Sequence, residues 1–333
     1  MNDDVMNPIH PWAADPFRAG QRSFPRLQAR PGIVPFSVAI TVLNLLGHTI
    51  LGFEQAWLHP LVALATAYLC ELGVEAGLRG WAGARFRGGL RNLLIFLLPA
   101  HITALAVAML LSTNERFTVI AFAAALAVLS KSMFRVAVKD AQGKTTHFLN
   151  PSNLGITATL VIFHDWVGVA QPYQFTEGLS GSLDWLLPGF IVCTGSLLNW
   201  RATRKLPLIG AWLIGFALQA LVRALLTEQS LFSLLAPMTG TAFVLFTFYM
   251  ISDPMTTPSR PLAQVAFGLA TAAVYGLLTY AGIVFGLFFS LTLACTGRGA
   301  LLGLASLRGA QPAPHGLPLA ANPMAINPAA RRP

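Results

Sequence analysis

Apolar residues run along this chain in blocks separated by short polar segments, from Ile33 to Leu304. Each block holds about 20 residues, long enough to cross roughly 30 Å of hydrocarbon as a helix. The pattern predicts spans at 33–53, 57–78, 92–112, 117–134, 153–169, 184–200, 206–225, 231–251, 261–280 and 283–304. The last two form one unbroken stretch, divided on length by a turn near Gly282, so nine spans are the alternative to ten. The expected fold is all-α: a polytopic membrane protein of about ten transmembrane helices.

Composition agrees, with 55% hydrophobic and 11% charged residues and a mean hydropathy of +0.62 over 333 residues. The net charge of +9 would suit nucleic acid if it formed one stripe, but the basic residues are scattered over short loops. They obey positive-inside topology instead. With the N-terminus inside, 20 of the 22 Lys and Arg fall on inner segments, and only Arg116 and Arg223 fall outside. The organisation expected is a cytoplasmic N-terminal tail (1–32), a membrane domain (33–304) and a disordered cytoplasmic tail (305–333) rich in Pro, Ala and Gly. The protein then lies in the cell inner membrane, its partner the lipid bilayer, with no nucleic acid. The first 30 residues hold no apolar signal-peptide core. The three cysteines, Cys70, Cys193 and Cys295, fall inside apolar blocks and imply no disulfide framework.

Two polar knots interrupt the apolar pattern on the predicted cytoplasmic side: HFLNPSNLGIT (147–157) and FYMISDPMTTPSRP (248–261). In each a short acceptor precedes proline, Asn150 before Pro151 and Asp253 before Pro254, the signature of an N-cap with proline at the first helical position. Each knot would start a short or broken helix whose free N–H groups and positive dipole end point into the bundle. Irregular backbone at membrane depth belongs where it lines a cavity, so the knots are candidates for one ligand pocket. Its binding residues would be His147, Asn150, Ser152, Asn153, Asp253, Thr256, Thr257 and Arg260. Read singly, each knot is also what a well-capped inter-helix turn looks like.

Further polar positions sit inside the spans. Glu71 and Glu75 lie one turn apart, with Arg79 a turn beyond Glu75, and carboxylates at that depth suit proton or cation carriage. His48 and His101 are the histidines expected deepest in the bundle and extend a candidate ion or proton path; a helix-to-helix hydrogen bond is the plainer reading of each. No metal site is expected. No P-loop, dinucleotide fingerprint or hydrolase elbow occurs.

The succession of HFLNPSNLGIT and FYMISDPMTTP resembles the membrane family of the Rnf complex D subunit and the sodium-pumping NADH–quinone oxidoreductase B subunit. The segments LGFEQAW (51–57), LLPAHITALAVAMLL (97–111), PYQFTE (172–177) and TTP (256–258) are similar to the UnbU-like membrane proteins found beside enediyne biosynthesis genes. The first resemblance implies electron transport with coupled ion movement, FMN bound covalently to a threonine of an SGAT-type motif, a further flavin or quinone in the bundle, and other membrane redox subunits as partners. Here the expected motif reads SGSL (180–183). Leu183 has no hydroxyl, so no covalent flavin is expected, and GSLLN (195–199) lacks the glutamate the family pattern would carry. What remains implied is a noncovalent flavin (riboflavin or FMN) or quinone at the knots. The alternative is a small-molecule transporter or channel on the same scaffold, linked to enediyne-type biosynthesis or export.

Overall fold

A chain immersed in hydrocarbon must satisfy its backbone N–H and C=O groups within each segment, and helix is the local way to do so. The computed structural model describes residues 26–29, 32–53, 55–137, 145–169, 181 and 185–309. Its helices are α1 (Ile33–Leu46), α2 (Leu58–Gly83), α3 (Leu90–Leu110), α4 (Phe117–Met133), α5 (Pro151–Ile162), α6 (Leu186–Leu198), α7 (Leu206–Thr227), α8 (Leu231–Leu235), α9 (Thr241–Leu245), α10 (Pro261–Tyr280) and α11 (Gly286–Gly309). π-helical turns prolong α1 (Gly47–Leu51), α6 (Asn199–Thr203) and α9 (Phe246–Met250). Strand is confined, among the described residues, to two short antiparallel ladders: β1 (Leu111–Ser112) with β4 (Gly168–Val169), and β2 (Arg135–Ala137) with β3 (Thr145–His147).

Among the described residues six helical segments are long and apolar enough to cross a membrane: α1 with its π turn, α2, α3, α7, α10 and α11. A seventh is counted if Leu231–Thr239 and Thr241–Met250, bent by 66°, make one span. The chain is therefore a multi-pass, all-α membrane protein. Each of the ten predicted blocks contains helix, but α4 and α5 have 17 and 12 residues, short of the roughly 20 a crossing needs, and α6 ends in the polar π turn Asn199–Thr203.

Some predicted boundaries shift. The block 153–169 stops being helical at Ile162, where Phe163 leaves helical geometry and a turn leads to β4. Helix α11 continues past 304 to Gly309; residues 310–333, read as a disordered tail, lie outside the described residues. The described part of the N-terminal tail is tied to α3: the Leu27 N–H donates to Asn92 Oδ1 (3.1 Å) and Arg91 Nη1 donates to the Leu27 carbonyl (3.0 Å). The division of the last apolar stretch stands: α10 ends at Tyr280 and Gly282 turns the chain at φ 81°, a conformation that costs a residue without Cβ little.

Helix α4 packs against α2 and α5 in the first half, and α10 against α7 and α11 in the second. Small residues permit these close approaches. A Cβ on Gly155 of the first knot would lie 2.6 Å from the Ala123 carbonyl of α4. In the second half Trp212 and Phe216 of α7 pack on Phe243 and Tyr275, with ring centroids 4.8–6.2 Å apart.

Candidate functional site: a cavity between two polar knots

In the first knot Asn150 caps α5 as its sequence predicts: its Oδ1 accepts from the Asn153 N–H (3.0 Å), and Pro151 opens the helix. The same side chain reaches the other knot, donating from Nδ2 to the Met250 carbonyl (3.1 Å). Ser152 donates to Asn150 Oδ1 (3.0 Å). Asn153 turns away from the knot: Nδ2 donates to the Phe288 carbonyl (2.9 Å) and Thr292 Oγ1 (2.7 Å), clamping α5 to α11.

The second knot does not start a helix at Pro254. Asp253 closes a turn, its Oδ1 accepting from the Met255 N–H (3.1 Å) and its Oδ2 from the Thr256 hydroxyl (2.9 Å), while Thr257 donates to the Asp253 carbonyl. Residues before proline avoid the helical region, and a proline inside a helix removes a hydrogen bond. Pro258 and Pro261 therefore bar a helix begun at 254. The helix starts at Pro261 instead, with the exposed Arg260 at the N-cap.

Two cations hold this turn by its carbonyls. Lys205, buried beside the start of α7, donates to the carbonyls of Thr257 (3.3 Å) and Pro258 (2.6 Å). Arg298 of α11 donates to the Thr256 carbonyl (2.9 Å). Burial pushes the Lys205 ammonium down to about 8, against partial support from Asp253.

Both knots line one cavity of about 1040 Å³. His147, Asn150 and Ser152 face it from the first, and Ser252, Asp253 and Met255 from the second. Its apolar wall includes Phe36, Ile40, Phe96, Ile102, Phe248 and Tyr249, with Phe36 and Tyr249 stacked at 5.1 Å and 4°. Glu71, Glu75, Arg79, Arg85, Lys131 and Arg135 complete the lining.

The two glutamates differ in what holds them. Glu75 is 3% exposed and is held by Arg85, whose Nε and Nη2 donate at 2.9 and 2.8 Å and whose backbone N–H adds 2.8 Å, and by Arg79 at 3.2 Å. Among the described residues Glu71 makes one ion pair, with Lys131 Nζ at 3.2 Å. The carboxylate free to exchange partners is therefore Glu71.

Thr256, Thr257, Asn153 and Arg260 are near the knots yet do not line the cavity. Neither do His48 and His101. His101 is a helix-to-helix bridge, its Nδ1 paired with the Tyr68 hydroxyl (2.6 Å) and its Nε2 with Thr41 Oγ1 (2.7 Å). Among the described residues the most buried histidine is His59, at 0% exposure; its place at the edge of a block beside a proline gives no cue to that burial in the sequence. Leu183 and the loop around it lie outside the described residues. Among the described residues no group of three or more His, Cys, Asp or Glu is arranged to hold a metal.

Lys131, Lys205, Arg298 and Tyr249 are the contributors that sequence reasoning missed. The three cations look like topology markers in a linear reading, and only Tyr249, near the start of the second knot, has a local cue. No protein-family model matches the chain, and no curated protein matches it. The class rests on fold and site: a multi-pass helical membrane protein with an internal cavity of apolar body and charged lining.

Proposed function

We propose that this chain is a ten-span membrane subunit of the electron-transport type, similar to the Rnf D and sodium-pumping oxidoreductase B subunits, which holds a flavin or quinone noncovalently between the two knots. The observation that carries the reading is the meeting of both knots in one cavity with an apolar, aromatic body. Its volume lies at the upper end of small-molecule pockets, which run from about 300 to about 1,000 Å³. Such a wall suits the flat ring of a flavin or quinone, and the polar groups suit its carbonyl edge. The bound ring would supply electron transfer. The chain would contribute the positive end of α5 together with Lys131, Arg135 and His147, which favour the anionic reduced ring. Glu71, ion-paired among the described residues with Lys131, is the group suited to carry a proton or cation in step with reduction. Other redox subunits would deliver the electrons.

Absorption spectra and mass spectrometry of the detergent-purified full-length chain test this. The expected result is a flavin or quinone released intact on denaturation and bleached by dithionite before it. A chain carrying neither, with no redox-dependent spectrum, ends the proposal. A second reading, passage of a small solute, is favoured by the singly held Glu71–Lys131 pair facing the cavity. Solute uptake into proteoliposomes that is lost in Asn150→Ala, from a chain devoid of cofactor, would select it.

A further inference from the structure

One buried amide gathers three arginines at an edge of the membrane domain. Asn92, buried in the first turn of α3, accepts at Oδ1 from the Leu27 N–H (3.1 Å), which belongs to the peptide joining Arg26 to Leu27. From Nδ2 the same carboxamide donates to the Arg87 carbonyl (3.0 Å). Its neighbour Arg91 donates from Nη1 to the Leu27 carbonyl (3.0 Å), so the Arg91 guanidinium lies against the residue after Arg26. Segments 65 residues apart in the chain are thereby fixed side by side. Arg26, Arg87 and Arg91 stand exposed around the hidden carboxamide. Apolar packing holds the arrangement from beneath, with Leu27 and Leu93 against the buried cluster of Ala84, Phe86 and Phe96. Like charges held together repel, and an anion among them relieves that repulsion. Among the described residues no carboxylate is ion-paired with Arg26 or Arg91.

The surroundings say what kind of anion fits. Helix α3 is apolar enough to cross a membrane from Leu90 onward, so the arginines lie where hydrocarbon meets water. Leu90 and Leu94, one turn apart on α3, are exposed, as are Leu78 and Trp81 near the end of the adjoining α2. Trp81 packs edge-on against Phe86 with ring centroids 5.2 Å apart, which ties it to the arginine-bearing loop. Exposed tryptophan is typical of the headgroup level of a bilayer. A guanidinium fork can take two phosphate oxygens at once, and leucines beside it suit acyl chains. A soluble phosphate would leave those leucines unmatched. We propose that Arg26, Arg87 and Arg91 bind the phosphate headgroup of an anionic phospholipid, whose acyl chains lie along Leu90 and Leu94.

The test uses the full-length chain in detergent, freed of copurified lipid, and native mass spectrometry after addition of phosphatidylglycerol or of phosphatidylcholine with identical acyl chains. Phosphatidylglycerol should be retained in preference. Its affinity should fall about tenfold in Arg26→Gln/Arg91→Gln and stay unchanged in Arg201→Gln/Arg260→Gln, which removes two exposed arginines from other loops. Arg26→Gln alone, which removes a charge and leaves the Asn92 and Arg91 hydrogen bonds in place, should fall part of the way. Equal retention of the two lipids, equal loss in the two double variants, or displacement of phosphatidylglycerol by an equal concentration of soluble glycerol phosphate would overturn the proposal. None of these readouts depends on the cofactor cavity being filled.

Discussion

The two knots share a written pattern and differ in what they build. Asn150-Pro151 opens a helix, whereas Asp253-Pro254 closes a turn held by Asp253 itself and by two cations from other helices. After Pro151 come twenty residues without another proline; after Pro254 a second proline arrives four residues on and a third seven residues on. A capping residue starts a helix only where the next turn is free to close. The first knot is thus an amide-held helix end and the second an electrostatically tethered loop. The amide of Asn150 on the Met250 carbonyl links the two.

Reciprocal exchange of the two acceptors breaks that comparison most sharply. In Asn150→Asp the Nδ2 donor is lost and a carboxylate is pressed, buried, against the Met250 carbonyl. We expect a loss of about 3 kcal/mol, read as a lower midpoint in thermal unfolding followed by circular dichroism in detergent.

Lys205→Met removes the tether of the second knot and leaves two carbonyls without their donor, a loss of about 2 kcal/mol at neutral pH. Its pH signature is distinct. Because the folded value of about 8 lies below the ordinary 10.5, the unfolded chain holds the proton over that interval while the folded chain does not. The wild type should therefore gain stability relative to Lys205→Met as pH rises from about 8 to about 10.5, and a gap that narrows or stays flat would show that burial does not set this lysine. The smallest effect is expected for Asp253→Asn, below about 1 kcal/mol, since an amide oxygen still accepts from the Met255 N–H and the Thr256 hydroxyl can reorient. Equal losses from the two exchanges would mean that the knots are alike after all.

The helical blocks were legible because hydrocarbon demands long apolar runs, and Asn150 because its cap is local. The failure at Pro254 was legible too, in Pro258 and Pro261, had the residues after the cap been weighed with the cap. The long-range contacts of the cations were not. Lys131, Lys205 and Arg298 reach their partners across 60, 52 and 42 residues of chain, distances at which periodicity says nothing. The Glu75–Arg79 pair follows from a spacing of one helical turn, but the stronger hold of Glu75 on Arg85 depends on the turn at 84–89 folding back on α2. His59 escaped because burial at a helix start comes from β1 and α4 packing over it, through Thr113 and Phe117.

The central claim is that the space between the knots holds the redox ring. Cofactor stoichiometry in the purified wild type, measured beside Ala106→Phe, tests it directly, because Ala106 lines the cavity and a benzyl group there takes up its volume. The account predicts about one noncovalent flavin or quinone per wild-type chain and its loss from a folded Ala106→Phe chain. A wild type with neither, or equal cofactor in both chains, would contradict it.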